Sequence, residues 1–111
     1  MTDHDVETEI QAKGLLAARV TPADIEDTIH FEYYLNGSQA KGEAPAHSRL
    51  GLLTICVLVL RNGFIVTGES ACVNPANFSE ELGRKIAREH AKEKIWPLEG
   101  YLLREKISRS P

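Results

Sequence analysis

Cysteine is scarce in this chain. Cys56 and Cys72 are the only two in 111 residues, and they lie sixteen positions apart. That spacing matches no disulfide framework and no metal-ligand motif, so both are expected to be reduced and structural. The histidines, His4, His30, His47 and His90, also lack ligand spacing, so neither a metal site nor a cofactor is expected. No run of about 18 apolar residues occurs, which argues against a membrane-spanning helix. The opening MTDHDVETE is acidic where a secretory signal would be basic and then apolar, so a soluble, cytoplasmic protein is expected. A formal charge of −3 speaks against general DNA or RNA binding, which calls for a basic footprint. The length is about half or less of what a doubly wound sheet or a barrel enzyme needs. It suits one domain over 1–111, without internal repeats.

What the chain does have is an unbroken apolar run from Leu50 to Leu60, rich in β-branched residues, followed by Arg61, Asn62-Gly63 and a second β-prone run from Phe64. Two strands joined by Asn-Gly form the strongest short hairpin signal, since both residues tolerate the positive φ of a type I′ turn. A two-residue loop sets the register: Arg61 opposite Phe64, Val59 opposite Val66, Val57 opposite Gly68 and Ile55 opposite Ser70 on one face. The other face would pair Leu60 with Ile65, Leu58 with Thr67 and Cys56 with Glu69.

The rest of the chain has to cover this hairpin. Thr2 to Ala18 suggests a short helix or tail, with residues 1–19 weakly held. Thr21-Pro22-Ala23-Asp24 is a helix start, with Thr21 as N-cap, Pro22 at the first position and Asp24 near the positive dipole end. That helix is expected to end near His30, with Ile25 and Ile29 on its buried side. Phe31–Leu35 suits a third strand, and residues 36–48 have the composition of a mobile loop. After the hairpin, Asn77 as N-cap with Glu80 predicts a helix from Phe78 to about Ile95. Its buried face would carry Phe78, Leu82, Ile86, Ala87, Ala91 and Ile95. Trp96-Pro97 should break it, and a last segment continues to about Ile107, where Gly100 would let two backbones approach. The expected class is α+β: a small antiparallel sheet on a central hairpin, packed with two C-terminal helices.

Four constellations carry chemistry. Gly68-Glu69-Ser70-Ala71-Cys72 resembles a nucleophile elbow without its last glycine and outside the strand-turn-helix context, which does not support acyl transfer at Ser70. A Cys72–His90 nucleophile pair has nothing more in its favour. Arg84, Lys85, Arg88 and Lys92 form a basic stripe with two readings. It is a solvated face balanced by pairs such as Glu80 with Arg84 and Glu81 with Lys85, or it is an anion site near the helix start. Phe64, first after the turn, either caps the core or stacks on a purine with Arg61 beside it.

The motifs RNGF, TGESA, NPxNF, GRKIA and KIWPLEGYLL resemble those of the phage N4 gene 49 and Sf6 gene 66 type family, and of the Thoeris anti-defence 1 sponge proteins. The likeness covers Leu52 to Lys106, with a looser match over the first fifty residues. It implies a phage protein of the host cytoplasm, no enzyme, that sequesters glycocyclic ADP-ribose, and in some cases cyclic oligonucleotides, without cleaving them. It implies a homo-oligomer built from dimers, up to a hexamer, with the pocket between protomers. Matched motif to motif, Phe64 is the adenine-stacking ring and Asn74 a hydrogen-bonding group. Physical reasoning adds Arg84, Lys85 and Arg88, with Arg61 and Arg49 behind them, and takes Trp96 to Leu103 as a subunit contact. The alternative is a phage accessory protein that binds and modulates a host protein.

Overall fold

The computed structural model describes residues 3–15, 17–45 and 47–110. Helices α1 (Asp3–Ala12) and α2 (Pro22–Thr28) lead into strand β1 (Ile29–Asn36). Two single 3-10 turns, Gly37–Gln39 and Ser48–Leu52, then flank the loop expected over 36–48. Strands β2 (Leu53–Leu60) and β3 (Ile65–Ala71) form the hairpin, and helices α3 (Glu80–Glu93) and α4 (Ile95–Ser108) follow. The sheet is antiparallel with order β1-β2-β3, so the fold is α+β.

Thr21 caps α2 as its sequence predicts. Its hydroxyl accepts from the Asp24 amide at 3.1 Å, and the Asp24 carboxylate accepts from the Thr21 amide at 2.9 Å. The helix stops at Thr28, two residues short of His30, because the chain enters β1 at Ile29.

The hairpin register differs from the expected one by one residue. Leu58 pairs with Val66 and Cys56 with Gly68, so the loop is the three residues Arg61–Gly63 rather than a two-residue type I′ turn. Gly63 is left-handed at φ +89°, while Asn62 keeps a negative φ. The Asn62 side-chain oxygen accepts from the Phe64 amide at 3.0 Å. Arg61 is taken out of the β2-β3 ladder, its amide donating instead to the Thr28 carbonyl at 2.9 Å. A one-residue slip turns every side chain of β3 to the other face. It sets Val66 and Gly68, not Thr67 and Glu69, beside Leu58 and Cys56.

Helix α3 covers that face. Its N-cap is Ser79, whose Oγ accepts from the Leu82 amide at 3.2 Å, not Asn77, and the helix spans Glu80–Glu93 rather than Phe78 to Ile95. The buried stripe is narrower than the expected one, of which Ala87, Ala91 and Ile95 are buried. Ala87 and Ala91 are fully buried while Leu82 and Ile86 remain exposed. Small residues win this position because the helix lies on Gly68, where a Cβ would meet the Ala87 carbonyl at 2.2 Å. The chain breaks at Lys94, before Trp96, and Pro97 falls in the first turn of α4, where a missing N–H is tolerated. Ile25, Cys56, Leu58, Ala87, Ala91 and Ile95 are fully buried and form the centre of the core. Among the described residues nothing approaches Gly100 closely, and its Cβ position is open.

Among the described residues no helix lies on the sheet's other face. Cross-strand partners arrange it in three rows: Phe31–Val59–Ile65, Tyr33–Val57–Thr67 and Leu35–Ile55–Glu69. Phe31, Tyr33, Leu35 and Ile65 are exposed and the β2 residues half-buried.

Candidate functional site

A cleft of about 460 Å³ lies at the hairpin end of the sheet, between the loop, α2 and α4. Apolar side chains, Val20, Leu60, Leu102 and Leu103, share its lining with Arg19, Arg61 and Lys106 and with Asp24, Asp27 and Glu99. The volume falls in the range of small-molecule sites. Each cation is positioned by a different element. Arg61 is carried by the hairpin loop, and its Nε donates to the Asp27 carbonyl at the end of α2. Lys106 projects from α4 one turn beyond Leu102 and Leu103. Arg19 pairs with Glu7 of α1 at 2.6 Å, and its Nε is buried with no hydrogen-bond partner among the described residues. A buried donor left unpaired carries a desolvation cost that a ligand oxygen or a water would relieve.

Phe64 leaves this loop with its side chain 54% exposed. It does not line the cleft, whose wall ends at Asn62 two residues earlier. The ring is therefore not sealed in the core. Arg61 and Phe64 share one end of the sheet, and Asn74 is at the other, beyond the far end of β3. A strand of that length separates them by roughly 20 Å. Asn74 caps a 3-10 turn there: its side-chain oxygen accepts from the Ala76 amide at 2.9 Å, and its carbonyl accepts from the Cys72 thiol at 3.1 Å.

The basic stripe forms a second cleft of about 380 Å³, lined by Tyr34, Glu80, Glu81, Arg84, Lys85 and Arg88. The expected balancing pairs are present: Arg84 with Glu80 at 2.9 Å and Lys85 with Glu81 at 3.4 Å. Arg84 also lies over the Tyr34 ring, 5.2 Å from its centroid. Arg88 does something the sequence did not suggest. Its two terminal nitrogens donate to both oxygens of Glu26 at 3.0 and 2.8 Å, and its Nε reaches Glu32 at 3.3 Å, which ties α3 to α2 and β1. The Arg88 hydrogen bonds hold the Glu26 carboxyl down at about 2. Lys92 adds a contact to Glu26 at 3.0 Å.

Both members of the Cys72–His90 pair are turned to backbone oxygens. The Cys72 thiol faces the Asn74 carbonyl, and the His90 Nδ1 meets the Glu69 carbonyl at 2.7 Å. Among the described residues no group of three His, Cys, Asp or Glu side chains is placed to hold a metal ion. No described helix is long and apolar enough to cross a membrane.

Sequence reasoning missed Arg19, Lys106 and the three carboxylates of the larger cleft. The signal for part of it was the spacing of Glu99, Leu102, Leu103 and Lys106, which is one face of a helix.

The fold and the cleft define a small α+β protein with a concavity at a sheet end, between elements far apart in sequence. Residues 20–107 match the model of the phage protein (N4 Gp49/phage Sf6 gene 66) family, and the chain belongs to that family. Comparison with curated proteins and with solved structures gives no match.

Proposed function

We propose that this phage-family protein is a binding protein that captures a small anionic nucleotide messenger and holds it unchanged, with glycocyclic ADP-ribose as the first ligand to test. The observation that carries the reading is the hairpin loop. It presents an exposed aromatic ring, Phe64, two residues after the cleft wall formed by Arg61 and Asn62. The physical logic is that phosphates pair with Arg61 and Lys106, while Asp24, Asp27 and Glu99 accept from ribose hydroxyls. A purine then stacks on Phe64, of the same or a neighbouring copy.

This reading moves the site away from Arg84, Lys85 and Arg88, because their carboxylate partners already neutralise them and Arg88 is committed to holding three elements together. Sequestration requires affinity rather than turnover, and affinity follows from enclosing the ligand with groups already in place. The test is native mass spectrometry of the protein with a panel of cyclic nucleotides and cyclic ADP-ribose isomers. One bound ligand per site, released with its mass unchanged after heating, supports capture; a hydrolysed product would make the protein an enzyme. No binding across the panel, together with recovery of one host protein in a pull-down, would replace this reading with that of an accessory protein acting on a host partner.

A further inference from the structure

Helix α1 is held to the rest of the molecule by polar contacts rather than by packing. None of its residues is buried, so the apolar face that stabilises most helices in proteins contributes little here. Two side-chain contacts tie it to the body. The Trp96 Nε1 donates to the Asp3 carboxylate at 3.0 Å, and Arg19 pairs with Glu7 at 2.6 Å. Between these ties the fit is loose: Val6 and Ile10 of α1 line a cleft of about 220 Å³ together with Val20, Pro22 and Trp96. The segment that leaves α1 passes through Gly14, at φ +68° with open space around its Cβ position. A glycine in that setting is a natural hinge.

One of the two ties reaches the hairpin-end cleft, because Arg19 is among the cations that line it. The Glu7 oxygen that meets Arg19 also accepts from Gln11 at 2.9 Å, and both members of the ion pair are largely shielded, Glu7 16% and Arg19 23% exposed. A pair so shielded is weakly screened, and it removes the Arg19 charge from the balance of the cleft. What is left is Arg61 and Lys106 against Asp24, Asp27 and Glu99, two cations facing three carboxylates. A cleft with that balance opposes the entry of an anion. With Arg19 released, the charges are equal.

We propose that α1 is a latch on this cleft: Glu7 holds Arg19 in the empty protein, and an anion entering the cleft competes for the same guanidinium and releases the helix. The latch rests on the capture reading and supplies its regulation. Carboxylate and phosphate oxygens fit the same fork of guanidinium donors, so Arg19 can exchange one for the other. A shielded ion pair is better suited to such a switch than to adding stability. Release would turn α1 about Gly14 and leave the core intact, since α1 contributes no residue to it. Coupling of this kind is reciprocal, so whatever loosens α1 must tighten capture.

The experiment measures binding of glycocyclic ADP-ribose by calorimetry to the full-length wild type, Glu7→Gln, Asp3→Ala and Glu9→Gln. The position of α1 is read from the emission of Trp96, the chain's single tryptophan. Glu7→Gln should bind at least about fivefold more tightly than the wild type, the low end of allosteric couplings. Asp3→Ala leaves Glu7 and Arg19 in place and loosens the other tie, so it should tighten binding by a smaller factor. Glu9→Gln removes the same charge from an exposed α1 residue paired with Lys13, and should change affinity by less than about twofold. Without ligand, Trp96 of Glu7→Gln should emit at longer wavelength than Trp96 of the wild type, and ligand should shift the wild type in the same direction. Glu7→Gln binding no more tightly than Glu9→Gln, or emitting like the wild type, overturns the latch and leaves capture standing. No binding by any of the four proteins sinks the capture reading, and the role of the latch with it.

Discussion

Gly68 of β3 lies against Ala87 of α3 so closely that a Cβ there would come within 2.2 Å of the Ala87 carbonyl oxygen and of the Ala91 amide nitrogen. Both obstacles are backbone, so neither can swing aside as a side chain would. Gly68→Ala should therefore lift the helix from the sheet and cost about 3 kcal/mol, the upper part of the range for overpacked cores. In urea denaturation this appears as a fall in midpoint at unchanged slope. Gly100 is the control, since its Cβ position is open and it lies inside α4. Gly100→Ala should gain about 0.5–1 kcal/mol, and a loss there would mean that the segment meets something outside this chain.

The hairpin shows where sequence reasoning succeeds and where it stops. Asn62-Gly63 marks the reversal of the chain correctly. The loop length, however, is decided by Arg61, whose amide is taken by the Thr28 carbonyl, a contact from a segment more than thirty residues earlier. No local pattern contains that information. The three-residue loop needs a positive φ only at Gly63. Gly63→Ala should cost about 1 kcal/mol through the strained left-handed backbone. Asn62→Ala should cost less, because it loses only the bond its side chain accepts from Phe64. Thermal melts of the two variants rank them, and equal losses would favour a turn in which both positions are left-handed.

Acid sensitivity should centre on Glu26. Hydrogen bonds from Arg88 lower its carboxyl from 4.5 to about 2 in the folded protein, against partial desolvation that works the other way. A carboxyl depressed by folding contributes stability above its unfolded pKa, and that contribution is lost as pH falls through the folded value. The window is thus pH 4.5 down to about 2. Glu26 is partly exposed, so solvent and salt screen the pair and its worth at neutral pH is of order 1 kcal/mol. Glu26→Gln should flatten the stability profile in that window and lower stability above it. A profile as steep as the wild type's would assign the acid limb to other carboxylates.

The architecture was legible because its signals are local: the Thr21-Pro22 cap, the apolar run of β2, and the reversal at Asn62-Gly63. The buried face of α3 was legible in part. Periodicity placed Ala87, Ala91 and Ile95 on it correctly, but it also placed Leu82 and Ile86 there, and these turn outward because Gly68 admits the helix so close that only small residues fit beneath it. The stripe of Arg84, Lys85 and Arg88 could be read either way from sequence. Arg84 and Lys85 have the partners read from sequence, Glu80 and Glu81, whereas Arg88 is balanced by Glu26 and Glu32, which belong to α2 and β1. The larger cleft was invisible for the same reason, since Arg19, Arg61 and Lys106 meet only when the chain ends fold back on the hairpin.

That difference between the two clefts gives the most discriminating expectation for ligand capture. Phe64→Ala should weaken binding by about 1–3 kcal/mol, the worth of stacking a base on an aromatic ring. Stability should change by no more than about 0.5 kcal/mol, because the ring is half in solvent and outside the core. Arg61→Ala and Lys106→Ala should each lose about 1.5–3 kcal/mol, the range for hydrogen bonds to charged groups, and all three losses should be measurable by calorimetry at one salt concentration. Arg84→Ala and Lys85→Ala should bind within about 0.5 kcal/mol of wild type, since each removes an exposed pair with a glutamate one turn away, and Arg84 its contact with the Tyr34 ring, all outside the hairpin-end cleft. Raising the salt concentration should weaken capture by the wild type more than by Arg61→Ala, as the variant has one fewer cation to screen. Should the ranking come out reversed, with Arg84 and Lys85 dominant and Arg61 silent, the ligand lies over α3 and the hairpin-end cleft is not its site.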